Sequence, residues 1–353
     1  MKKYKNVLYV LTANLVIFSL AFILVEGVFR LVGIPYKVTY IPDENSFARF
    51  DPELGWSYTP NTSTIHSADY IKKPVHFEEH GIRVSNDDFK FNDAHPSILF
   101  IGGSFTMGHG LSYDESFVGK FDALDEGSYQ IVNLGVQGYG SDQSLISLKK
   151  YLPKFNTKIV IYTFIEDHIL RNGNHDRRML VPSARFIGRK PRFSLTSNNK
   201  LYLSDKPHLY DNHIHHIYDH HIRSNLVDFL KIRIGTMLEH FPPFPEELTK
   251  AIILEMKEFS NAHNAHFVVL NWRWSKNDYK RLFEGLDVDM IDTMSEAPED
   301  WEKMVLLEGI HPNEKAGNHA ARLLIDYLNS KNLLQLQVDD QQTKIYSQTV
   351  PKS

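Results

Sequence analysis

Residues 97–110 read SILFIGGSFTMGHG, a buried apolar run that ends in a glycine turn. Ile98 to Ile101 form a short unbroken apolar run rich in β-branched residues, the pattern of a strand buried on both faces. Two glycines follow at once. Gly102 and Gly103 let the chain turn sharply out of the strand, so that the Ser104 hydroxyl projects at the carboxyl edge of a sheet with its own N–H facing the same space.

Working outward, the runs YQIVNL (129–134), KIVIYTFI (158–165) and HFVVLN (266–271) repeat the buried-strand pattern. Helix-compatible stretches lie between and after them, at 114–124, 141–152, 245–263 and 313–330. Strand followed by helix, repeated, predicts a parallel sheet with right-handed crossovers, a doubly wound α/β domain over residues 96–333. Ligands in such domains gather at the carboxyl ends of the strands. Residues 172–222 break the rhythm and are expected to form an insertion or cap, and 334–353 a polar, Gln-rich tail. Residues 31–95, rich in Pro, Tyr and short alternations, are expected to form a separate module of short strands and turns.

The first 30 residues are of another kind. Val7 to Val25 carries no charge and as a helix extends roughly 28 Å, about one hydrocarbon thickness. No small-x-small cleavage pattern follows, which favours a retained anchor over a cleaved signal. Lys2, Lys3 and Lys5 flank its start, so the positive-inside bias places the rest of the chain in the periplasm or another extracytoplasmic space. Thr12, Asn14 and Ser19 are read as tolerated polarity within that span.

Composition removes several classes of function. The 353 residues contain no cysteine, which excludes disulfide frameworks, thiolate zinc sites and thiol nucleophiles. The net charge is −4, with three cations gathered in the first five residues, so no nucleic acid is expected as a partner. His213, His215, His216, His220 and His221 crowd one stretch but lack an accompanying carboxylate pattern. They are read as a polar His-rich surface, and no metal or other cofactor is expected.

Two further segments bear on Ser104. Asn133 to Gly140 (NLGVQGYG) offers a glycine-lined loop after the second strand, whose N–H groups can point at an oxyanion. Glu308-Gly309-Ile310-His311-Pro312-Asn313 precedes the last helix, with Pro312 expected to begin it and Asn313 to sit near its cap. His311 can take the Ser104 proton, and Glu308 can hold the imidazole from its other nitrogen. Tyr139 and Trp56 are read as packing residues.

In this order, and with GGSFTMGHGLSYDESF and EGIHPNEKAG as its paired signals, the chain from 95 to 330 resembles the SGNH/GDSL family of hydrolases and acyltransferases. FDPELGWSYTPN and HGIR look like the N-terminal module of membrane-anchored members associated with surface polysaccharides. The resemblance implies a flavodoxin-like three-layer α/β/α sandwich, with Ser104 as nucleophile, His311 as base, and the N–H groups of Ser104 and Gly138 as oxyanion donors. Three positions depart from the family. Gly103 stands for its Asp, Glu308 for the Asp that orients the base, and Glu166 for an Asn that donates to the oxyanion. A carboxylate at Glu166 repels a developing oxyanion unless protonated or turned away, and loss of such a donor typically costs ~10²–10³ in turnover. Asn172 or another amide taking its place, a slow enzyme, and a protein that is no esterase are the three alternatives.

Three functions follow from these residues. The first is a membrane-anchored esterase removing acyl groups, acetyl above all, from a cell-envelope carbohydrate or glycolipid. The second is an O-acyltransferase acting on surface polysaccharide with the same residues. The third is a catalytically silent carbohydrate-binding or assembly protein.

Overall fold

In the computed structural model, Ile98, Leu99, Phe100 and Ile101 are wholly withdrawn from solvent, because their strand is covered on both faces. The structure describes residues 2–32, 47–68, 71–92, 94–125, 127–174, 190–207, 224–227, 229, 230, 234, 245–274, 281–306 and 309–334. Two units are distinguished, Met1–Ser57 with Ile169–Thr249, and Tyr58–His168 with Lys250–Ser353.

The first unit contains helix α1 (Lys2–Val32), whose Asn6–Val32 stretch is long and apolar enough to cross a membrane. Thr12 and Ser19 donate to the carbonyls of Leu8 and Leu15 one turn earlier, so their hydroxyls are satisfied within the helix. Strands β1 (Ala48–Asp51) and β2 (Gly55–Tyr58) pair with each other. The expected insertion is described in part. It holds the antiparallel hairpin of β9 (Arg192–Leu195) and β10 (Leu201–Asp205), while the histidines from 213 to 221 lie outside the described residues, as does the tail beyond 334.

The second unit is built on one eight-stranded sheet. Its parallel strands are β6 (Pro96–Gly102), β7 (Gln130–Asn133), β8 (Asn156–Phe164), β11 (His266–Asn271) and β12 (Asp289–Asp292). Across the sheet they run β12-β11-β8-β6-β7, which in chain order is second-first-third-fourth-fifth read from the β7 side. That is the flavodoxin-like order, and its topological switch point lies at the end of β6. The four strands expected from the apolar runs form at those places. The short fifth strand β12, DMID, has acidic ends and no apolar run to announce it.

The sheet continues beyond residue 95 toward the N-terminus. Strands β3 (Thr62–Ala68), β4 (Ile71–Phe77) and β5 (Arg83–Val84) extend it antiparallel from β7, through the pairing of Arg83 with Asn133. The stretch read from sequence as a β-rich N-terminal module contributes three strands to this sheet. The reason is local: β7 is short and would otherwise leave an open edge.

Helices cover both faces. Ile98 and Phe100 of β6 point to one side and join Phe117, Val118 and Phe121 of α3 (Phe117–Asp125) and Ala320, Leu324 and Leu328 of α7 (Glu314–Ser330). Phe100 meets Phe117 and Phe121 edge-on, at 5.6 and 5.1 Å between ring centres. On the other side lies α4 (Ser141–Tyr151), packed on β6 and ion-paired to α6 (Pro245–Ala262) through Lys149 and Glu255. Two single-turn or short helices, α2 (Ser104–Met107) and α5 (Asp167–Gly173), follow the ends of β6 and β8.

Phe121 sits at the centre of the α3 face with no solvent exposure. Phe121→Ala is expected to lower the unfolding free energy by about 3–5 kcal/mol, measured by urea titration.

Candidate active site

The site begins where β6 runs out. Gly102 takes φ +153°, and a Cβ there would stand 2.3 Å from Thr106 Oγ1 and 3.0 Å from the Thr163 carbonyl, so only glycine fits. Ser104 then opens α2, a single turn closed by Gly108 in the left-handed conformation, whose N–H donates to the Ser104 carbonyl at 2.9 Å. Ser104 is 3% exposed.

A helix so short leaves its carbonyls unpaired, and two buried side chains take them up. Asn133 Nδ2 donates to Thr106 O at 3.0 Å, while its Oδ1 accepts from Gly135 N at 3.0 Å. Arg83, 1% exposed, donates to the carbonyls of Met107, Gly108 (2.9 Å) and Leu111 (2.6 Å). Burial lowers the Arg83 pKa to about 10, which still leaves it charged at neutral pH. A cation facing the carbonyl end of a helix is electrostatically favoured. It fixes the turn whose other end carries Ser104, at the point where Gly103 supplies no side chain.

His311 comes from the segment before α7. Leu306 N donates to His311 O at 2.7 Å, Val305 bridges Pro312, and Asn313 caps α7 by accepting from the N–H groups of Lys315 and Ala316 at 3.0 and 3.1 Å. Asn313 is therefore the cap itself, and Pro312 precedes the helix instead of beginning it. The His311 Nε2 lies 2.9 Å from Ser104 Oγ, across 207 positions of chain. Glu308 lies outside the described residues.

The loop after β7 passes close by. Gly135 packs so tightly that a Cβ would stand 2.4 Å from Met107 N. Gln137 N donates to the Tyr58 hydroxyl at 2.9 Å and Tyr139 N to Val136 O at 3.2 Å, while Gly138 between them has φ +83°. Neither Ser104 N–H nor Gly138 N–H meets an acceptor among the described residues. Two unengaged donors are what an oxyanion requires. Glu166 is exposed beyond the end of β8. Asn172, in the other unit, is buried and donates to Thr249 Oγ1 at 2.8 Å.

No family model matches this chain, and no curated protein matches it. Solved structures similar to it include TesA, at 14% identity over 67% of this chain and 99% of that chain with a TM-score of 0.40. A GDSL-like lipase from Bacteroides thetaiotaomicron has 9% identity over 67% and 88%, with a TM-score of 0.36. The psychrotrophic esterase EstA from Pseudoalteromonas sp. has 14% identity over 66% and 97%, with a TM-score of 0.36. At such low identities and TM-scores the chemistry of the site rests on its own geometry.

That geometry includes groups the sequence reading missed. The His109 ring lies over His311 at 4.1 Å between centres and 32° between planes, and His66 of β3 meets His109 edge-on at 4.7 Å. Burial, with like charge at His311, lowers the His109 pKa to about 3, and burial, with Arg83 and His311, lowers that of His66 to about 4. Both rings are thus neutral at neutral pH, beside His311. His311 also meets Phe105 at 5.7 Å, which in turn packs on Trp272 and Trp274. His109 lies five positions after Ser104, inside the quoted stretch, but nothing in its spacing tells a ring stacked on His311 from a turn residue. Arg83 belongs to the noted HGIR segment, yet its role depends on β5 pairing with β7. Tyr139 and Trp56 are buried, as packing residues should be.

Arg83→Met removes three charge-assisted hydrogen bonds, two to the end of the Ser104 turn and one to Leu111, and a loss of about 3 kcal/mol or more in stability is expected in thermal or urea unfolding. The histidine pair makes stability pH-dependent. Its folded pKa values lie below the unfolded 6.5, so the unfolded chain binds more protons in between, and stability present above about pH 6.5 is lost as pH falls toward 4 and 3. By about pH 5 each imidazole costs at most roughly 2 kcal/mol. The double variant His66→Gln, His109→Gln should flatten this acid limb in urea titrations run from pH 7 to pH 5.

Proposed function

We propose that the protein is a membrane-anchored serine ester hydrolase of the SGNH/GDSL type, acting outside the cytoplasm on acyl groups carried by a cell-envelope carbohydrate or glycolipid. The observation that carries this reading is the 2.9 Å hydrogen bond between Ser104 Oγ and His311 Nε2. In the reaction His311 Nε2 takes the hydroxyl proton as Ser104 Oγ attacks the ester carbonyl. The resulting oxyanion is received by the N–H groups of Ser104 and Gly138. Collapse expels the alcohol, which takes the proton from His311, and leaves an acyl-Ser104. Water, deprotonated by the same imidazole, then releases the acid.

The near-complete burial of Ser104 and the Phe105 and His109 rings flanking His311 favour a small acyl group, acetyl above all. The apolar α1, with Lys2, Lys3 and Lys5 at its start, supports an extracytoplasmic site. Exposure of Glu166 keeps its carboxylate in water, where it is screened from a developing oxyanion.

The test uses the full chain in detergent with p-nitrophenyl acetate. Ser104→Ala and His311→Ala should each lower turnover by about 10³-fold or more, and a fluorophosphonate should label Ser104 in mass spectra of the parent chain. Hydrolysis left unchanged by Ser104→Ala removes this site from the reaction. Acetyl transferred to an added sugar hydroxyl in preference to water assigns the protein to O-acyl transfer with the same residues.

A further inference from the structure

The end of α1 is bolted to a distant part of its own unit. Glu26 is the one acidic residue of the Asn6–Val32 stretch. Besides its ion pair with Arg30, its carboxylate accepts from Ser224 Oγ at 2.8 Å and from the N–H groups of Asn225 and Leu226, both at 2.9 Å. One turn on, Phe29 meets Phe229 edge-on at 5.1 Å. Ser224 Oγ in turn accepts from Val227 N at 3.1 Å, so Ser224 and Glu26 together satisfy the first donors of a helical segment that includes 225–227, 229, 230 and 234.

That segment carries an apolar stripe that is exposed among the described residues. Val227, Leu230 and Ile234 fall at i, i+3 and i+7, on one helical face, and are 37%, 46% and 55% exposed. The element holding it is itself covered by hydrocarbon on the reading given above, since Leu24, Val28 and Leu31 are exposed around α1 at the same level. The stripe therefore continues the apolar surface of the anchor at the place where that anchor turns polar. Arg30 is exposed there, and Lys231 and Arg233 interleave with the stripe in sequence. Apolar residues interleaved with cations suit the boundary between acyl chains and anionic headgroups.

We infer that residues 224–227, 229, 230 and 234 form a second membrane contact, an amphipathic surface lying in the face of an anionic phospholipid bilayer beside the exit of α1 and held there by Glu26 and Phe29. The inference rests on α1 as a retained membrane span and is independent of the ester chemistry. It gives Glu26 a reason to stand at the end of an apolar helix, since its carboxylate is satisfied by hydrogen bonds at the depth where water begins to fail.

The chain has no cysteine, so Leu230→Cys provides a single site for an environment-sensitive fluorophore. The labelled full-length protein is reconstituted into vesicles of phosphatidylcholine and phosphatidylglycerol, with or without lipids doxyl-labelled near the headgroup. The expected result is blue-shifted emission quenched about twofold or more by the doxyl lipids, as befits a face sunk 5–10 Å into the boundary. Introducing Glu26→Gln and Phe29→Ala should abolish most of that quenching while the protein still floats with the vesicles. Unshifted emission places Leu230 in water and overturns the inference, and so does a blue shift without lipid quenching, the signature of cover by a second copy. A chain that does not float with vesicles overturns it too, and quenching that survives the paired substitutions overturns the role of Glu26 and Phe29. Ser104-dependent hydrolysis of p-nitrophenyl acetate by the same vesicles reports separately on the ester reading.

Discussion

A hydroxyl and an imidazole held 2.9 Å apart by two segments 207 positions distant demand that both segments be fixed to within a fraction of an ångström. On one side the constraint is met by the switch point of the parallel sheet, where β6 ends in Gly102 and α2 begins. On the other it is met by a short bridge and cap, with Val305 paired to Pro312 and Asn313 holding the first turn of α7. The packing of α7 on α3, and of both on Ile98 and Phe100, connects these two sides through one apolar core. The hydrogen bond thus depends on the whole second unit, and the core's rigidity keeps it short.

Electrostatics around this pair are arranged by burial. Arg83 is a buried cation, costly to desolvate, and three carbonyl oxygens compensate it. Two of those carbonyls, Met107 and Gly108, belong to the turn that presents Ser104, so satisfying the charge and fixing the position of Ser104 are one event. Close by, His109 and His66 lose their tendency to protonate because their rings are withdrawn from water. A neutral ring stacked on His311 would add no competing positive charge to the proton uptake proposed for His311, whereas a protonated neighbour at 4.1 Å would oppose it.

Much of this was legible in the chain itself. The apolar runs at 97–101, 129–134, 158–165 and 266–271 mark four of the five parallel strands, because a strand covered on both faces needs continuous hydrophobicity. The helical stretches near 117, 141, 245 and 314 begin within about three residues of where they form, the scatter expected of boundaries. Ser104 and His311 were singled out by a glycine turn and by chain order. The strand β12 escaped notice because its residues are acidic at both ends, and the extension of the sheet by β3, β4 and β5 because pairing partners leave no mark in composition. Arg83, His66 and His109 escaped for a related reason: each acts through a contact made between elements, and neither periodicity nor spacing encodes which faces will meet.

The division has a physical basis. Local rules, the two-residue period of strands, the freedom of glycine at Gly102 and Gly108, the long uncharged run of α1, act over a few residues and are written directly in the sequence, so it determined the α/β class, the apolar N-terminal helix and the pair of residues proposed to react. Which side chains surround that pair was decided by tertiary structure alone. Burial and register bring Arg83 under the Ser104 turn, lay His109 on His311 and join Glu26 to Ser224, and both properties come into being only when segments far apart in the chain exclude water together.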